Sequence, residues 1–260
     1  MSADIDFPLI YCNGDSYSNE DYHSTLKNKI YANVVADYCN GFVINKSITG
    51  SCNRRIVRTT LHDVIHQRRL NPAQQIIALI GLSFEIRSEI WVNDKESVLP
   101  EESNFKTHTF SKKTSWREDL LNGSIRIENP FALDKKFFDH YSKGRAYFFS
   151  PYAERINLLT DLIMLKSTLD SLNIDFLIFQ SPKAEKLESD HLLDFLKQEI
   201  NNDPRFLDFE KFGFCDWSFE QGFTPLDYLD RPTIGHYGAD AHQAFANNVL
   251  IPKLHELKIL

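Results

Sequence analysis

Residues 75–83, QIIALIGLS, decide how this chain reads. An unbroken apolar run of this length, closing on Gly81 and Ser83, suits a strand covered on both faces, as in a parallel sheet between two layers of helices. Upstream, residues 7–12 (FPLIYC) form a second such run, which ends in the turn-forming Asn13-Gly14-Asp15-Ser16. Residues 42–44 (FVI) begin a third strand. Helical repeats separate these strands. Leu26, Ile30 and Val34 recur every four residues in a helix expected over about 19–38, with Gly41 at its C-terminal end. Ile56, Leu61, Val64 and Ile65 share one side of a helix over 53–69.

Downstream the alternation resumes. A helix is expected over 152–172, a strand over 174–179 (IDFLIF), a helix over 184–200 and a short strand over 205–209. The last helix starts near Ala239, with Ala241, Phe245 and Val249 on one face, and Pro252 should kink or shorten it. Strands alternating with helices imply right-handed βαβ crossovers and a mostly parallel sheet, an α/β chain of three layers (α/β/α) in one domain over residues 1–260. Sites in such sheets lie beyond the carboxyl ends of the strands. Between residues 92 and 150 the periodicity dissolves. This span reads as an insertion after the third strand, partly helical near 135–141. Its aromatics, Trp116, Phe131, Phe137, Phe138, Tyr141 and Tyr147, suit either a lid or substrate cleft or a small satellite core.

Composition narrows the function classes. With 42% hydrophobic and 25% charged residues the 260-residue chain is ordinary for a globular protein. A formal net charge of −7 without a Lys/Arg cluster argues against a nucleic-acid partner. No window approaches the roughly 18 apolar residues of a membrane span, and the first residues carry no basic, apolar leader. Cys12, Cys39, Cys52 and Cys215 form no CxxC pair and read as reduced thiols, so a cytoplasmic location is expected. No HExxH, CxxC or P-loop pattern occurs, so neither a metal nor another cofactor is expected.

Four segments at strand ends carry candidate chemistry. Ser16, in Gly14-Asp15-Ser16-Tyr17, follows the first strand, where a hydroxyl stands at the sheet edge and its own N–H can face a developing oxyanion. Gly50, in Ser47-Ile48-Thr49-Gly50-Ser51, follows the second and offers an unhindered N–H or simply a turn. Ser83, in Gly81-Leu82-Ser83, ends the third. Gly81-Leu82-Ser83-Phe84-Glu85 approaches a GxSxG elbow, but Glu85 replaces its second glycine, which ranks Ser83 below Ser16 as nucleophile. His236, in Gly235-His236-Tyr237-Gly238-Ala239-Asp240-Ala241-His242, precedes the final helix and is suited to act as base for a serine hydroxyl. His242 reads as a packed or surface helical histidine. Arg87 reads as an ion-pair partner of Glu89, with an anionic substrate as its other reading.

In this order and spacing the blocks resemble the SGNH/GDSL hydrolase superfamily, and they span residues 14–246. The resemblance implies a flavodoxin-like sheet and a serine esterase working through an acyl-enzyme. Ser16 would be its nucleophile, His236 its base, and Ser16, Gly50 and Ser83 its oxyanion hole. Two departures stand out. The family's Gly-x-Asn is Gly81-Leu82-Ser83, a shorter donor. The family's Asp three residues before the histidine is Thr233, so Asp230 is the expected acid, with Asp227 or an acid-free Ser-His dyad as alternatives. The implied substrate is a small-molecule or carbohydrate ester, O-acetylated sugars among them. The departures also admit a catalytically silent carbohydrate- or acyl-binding domain, and an acyltransferase would use the same serine.

Overall fold

In a computed structural model, described for residues 7–85, 87–91, 105–110, 125–126, 150–184, 187–188, 190–208 and 210–260, four parallel strands form the central sheet. They are β1 (Leu9–Asn13), β2 (Phe42–Asn45), β3 (Ile76–Leu82) and β7 (Asp175–Gln180), in the order β2-β1-β3-β7. Ile178 bridges Phe206 in parallel beyond β7, which extends the order in the flavodoxin-like sense. That bridge is what stands at the short strand expected over 205–209; Phe209 lies outside the described residues. A separate antiparallel sheet joins β4 (Ser88–Trp91), β5 (Phe105–Phe110) and β6 (Ile125–Arg126). The helix expected near 135–141 and the six aromatics named in the insertion lie outside the described residues.

Alternate residues of each central strand enter opposite cores. Leu9, Tyr11, Ile76, Ala78, Ile80, Leu82, Phe176 and Ile178 pack with α2 (Asn53–Leu70), α3 (Pro151–Ser171) and α4 (His191–Asn201). Ile10, Cys12, Ile77, Leu79, Leu177 and Phe179 pack with α1 (Tyr31–Tyr38), α5 (Phe214–Glu220) and α6 (Ala239–Phe245). Two buried faces are why β3 is apolar at every position rather than at alternate ones. All four cysteines are free thiols, and burial pushes the Cys12 thiol up to about 12.

Three helical expectations need correction. The helix expected over 19–38 begins only at Tyr31, because residues 19–30 are spent on turns. There Asn19 Oδ1 accepts from the Asp21 N–H, Glu20 accepts from the Asn28 N–H, and Asn28 is left-handed at φ 57. The left-handed residue ending α1 is Asn40 (φ 54), not Gly41. The Gly41 N–H returns to the Ala36 carbonyl, closing a Schellman motif, and Gly41 is required because a Cβ would lie 2.5 Å from the Pro8 carbonyl oxygen. The helix expected from Ala184 begins at His191, capped by the Asp190 carboxylate on the Leu193 N–H. The kink expected at Pro252 fits the π segment that interrupts the last helix directly before it. The π segment covers Ala246–Leu250 and runs without a break into α7 (Ile251–Glu256), so the missing Pro252 N–H falls inside a continuous helix and is absorbed by the local widening.

Candidate active site

The turn after β1 is fixed from beneath. The fully buried Asn13 amide donates to the Ile56 carbonyl at 3.1 Å and to the Thr59 and Thr60 hydroxyls at 2.8 and 2.9 Å, and its oxygen accepts the Gly14 N–H. Gly14 leaves room for Ser18: a Cβ there would meet the Ser18 Oγ at 2.4 Å. Asp15, also fully buried, accepts the Tyr17 N–H on Oδ1. Its Oδ2 accepts from the Ser83 hydroxyl at 2.7 Å and from Arg87 at 2.5 Å. These contacts hold Ser16 in one place at the carboxyl edge of the sheet.

The partner arrives from 220 residues away. His236 Nε2 lies 2.8 Å from Ser16 Oγ, and its Nδ1 lies 2.8 Å from Asp227 Oδ2. Asp227 Oδ1 accepts the His236 backbone N–H at 2.8 Å, so one carboxylate holds both the ring and the main chain of the histidine. The loop closes through the Leu226 N–H to the His236 carbonyl and a bridge between Pro225 and Tyr237. Gly235 permits this closure, since a Cβ would lie 2.6 Å from the Pro225 Cβ. The acid on the histidine is therefore Asp227, not the expected Asp230. The Asp230 side chain is 80% exposed and its nearest cation is Arg231 at 3.8 Å. Position 233 sits exposed in the 3₁₀ turn Pro232–Ile234.

Two tyrosines that sequence reasoning did not single out frame the imidazole. Tyr22 stacks on it at 3.8 Å between ring centroids and Tyr17 at 4.5 Å. The Tyr22 hydroxyl also donates to Asp227 Oδ2 at 2.6 Å, and the Tyr17 hydroxyl to the Ile234 carbonyl at 2.7 Å. Burial pushes the Asp227 carboxyl up, but hydrogen bonds from the His236 ring, the His236 N–H and Tyr22 outweigh it and hold the acid below its ordinary range. His242 is buried against Tyr31 and Phe214, and burial, followed by the nearby His236, lowers its pKa to about 3; it stays neutral.

The expected oxyanion donors divide. Gly50 holds φ 81, a conformation that favours glycine, and is buried. Neither the Ser16 nor the Gly50 N–H finds an acceptor among the described residues. The Ser83 hydroxyl is already committed to Asp15, because the Asn53 amide pins the Ser83 backbone at both its N–H and its carbonyl. Arg87 pairs with Asp15, and Arg155 takes up Glu85. Among the described residues no cluster of His, Cys, Asp or Glu could hold a metal ion, and no helix is long and apolar enough to cross a membrane.

Similar solved structures include the psychrotrophic esterase EstA from Pseudoalteromonas sp., in a form inhibited by monoethylphosphonate. It has 10% identity and a TM-score of 0.46, over 97% of this chain and 99% of that one. A member of the lipolytic G-D-S-L family from Veillonella parvula matches at 10% identity and a TM-score of 0.41, over 94% and 97%. No family model matches the sequence. No curated protein matches it either.

Proposed function

We propose that this chain is a serine esterase of the SGNH/GDSL kind, cleaving a small-molecule or carbohydrate ester through an acyl-enzyme. The observation that carries the reading is the continuous chain Ser16–His236–Asp227, with 2.8 Å at each link to the imidazole. His236 takes the Ser16 proton as Oγ attacks the ester carbonyl, then returns it to the leaving alcohol. Asp227 keeps Nδ1 protonated and so presents the unprotonated Nε2 to the serine. The Ser16 and Gly50 N–H groups face the oxygen as it becomes negative. Water, activated by the same imidazole, then releases the acyl group.

Asp227 bears on the silent-domain alternative. A carboxylate nine residues before the histidine lies on Nδ1 although position 233 carries none, which supports the esterase reading over a silent domain. Labelling with a fluorophosphonate tests the reading. Wild-type protein should gain one covalent adduct, absent in Ser16→Ala and strongly slowed in His236→Ala. A folded wild-type protein that takes no label would favour a binding domain. Product analysis with added sugar acceptors separates hydrolysis from acyl transfer.

A further inference from the structure

Arg87 sits where the three oxyanion-bearing segments meet. Its Nη1 lies 2.5 Å from Asp15 Oδ2, one residue from Ser16, and 2.7 Å from the Ser83 hydroxyl at the end of β3. The same nitrogen lies 3.4 Å from the Ser51 carbonyl, one residue from Gly50. The guanidinium stacks over Phe84 at 5.0 Å. Only 8% of the side chain is exposed, yet Nε is buried without an acceptor, and Nη2 has none among the described residues. Nε is sealed off, so Nη2 is the donor left for a partner that arrives later, and an unused guanidinium donor is costly. The charge is meanwhile balanced by Asp15. A balanced pair is a poor receptor for a free anion but a suitable donor to an oxygen whose charge appears only during reaction.

We propose that Arg87 supplies the third oxyanion donor, in the role that the sequence alone assigned to Ser83. The inference rests on the serine-esterase reading of the same site. As the Ser16 Oγ–carbon bond forms, the Ser16 proton moves to His236 Nε2 and the carbonyl π pair moves onto the carbonyl oxygen. That oxygen is held by the N–H groups of Ser16 and Gly50 and by Arg87 Nη2. Collapse restores the C=O bond, breaks the bond to the leaving alcohol oxygen and passes the proton from His236 to that alcohol. Water is the only co-reactant.

The test is steady-state hydrolysis of 4-nitrophenyl acetate by the full chain, with folding checked by circular dichroism. Arg87→Met should lower kcat about 100-fold or more while KM changes less than about threefold. Arg87→Lys keeps the charge beside Asp15 but loses the planar fork, and should lower kcat at least about tenfold. This variant carries the test if Arg87→Met fails to fold. The double variant Asp15→Asn/Arg87→Met removes the ion pair altogether and should stay within about threefold of Arg87→Met. Recovery of the double variant toward wild type would show that Arg87 only neutralises Asp15, and overturns the proposal, as would a fully active Arg87→Lys. A wild-type protein inert toward both the ester and a fluorophosphonate would instead overturn the esterase reading itself, and this inference with it.

Discussion

The serine turn and the histidine loop meet at one hydrogen bond but are built differently. Residues 11–18 are buried without exception, and the turn is tied into α2 and β3 by Asn13 and Asp15. The loop 225–237 is exposed along much of its length, with Leu229 71% exposed and Tyr228 in a left-handed conformation. It is held by its own closure, by two tyrosine hydroxyls reaching across from the serine side, and at its end by Tyr237, buried against Phe214. Ser16 is thus part of the core, whereas His236 and Asp227 ride on a largely exposed loop. Substitutions of Asn13 or Asp15, which tie the turn to the core, should cost fold and activity together; substitutions of His236 or Asp227 should cost activity alone.

The largest effect tests the meeting point. Ser16→Ala and His236→Ala should each lower kcat by about 10⁵-fold or more, with melting temperatures near wild type. Asp227→Asn comes next, at about 10⁴-fold, because an amide on Nδ1 favours the wrong tautomer. On the serine side, Asn13→Ala leaves several buried groups without their amide partner. It should cost about 2 kcal/mol, or about 4–8 °C in melting temperature, unlike any of the loop variants. A Tyr22→Phe variant keeps the stacked ring and removes the hydrogen bond to Asp227. Its expected loss is about threefold to tenfold in kcat with no change in melting temperature, equivalent to about 1 kcal/mol. If Tyr22→Phe destabilised the fold as much as Asn13→Ala, the contrast between the two regions would be lost.

The sequence carried the same contrast. Strand β3, the turn after β1 and the order of the four blocks were legible because they follow from local rules: apolar continuity, glycine at turns, polar residues at strand ends. Ser16 and His236 could be named from that order. Asp227 could not be preferred, because its selection depends on a backbone closure between Leu226 and His236 that no residue spacing encodes. The Pro225 and Gly235 pair that permits the closure is the one signal in the sequence, and it becomes readable only once their contact is known. Tyr22 was hidden for a related reason. It lies in the run of turns over 19–30, which the four-residue recurrence of Leu26, Ile30 and Val34 disguised as helix. The serine hydroxyl at position 83 was a sound donor by type, but its commitment to a buried carboxylate is a tertiary fact.

The smallest expected effect sharpens the largest question. Asp230 stands three residues from Asp227 in the same loop, exposed and away from the imidazole. The most direct measurement is the kcat of Asp227→Asn and Asp230→Asn side by side on one ester. The account predicts a collapse of about 10⁴-fold for the first and a value within about twofold of wild type for the second. Near-equal rates, or a collapse in Asp230→Asn alone, would contradict it.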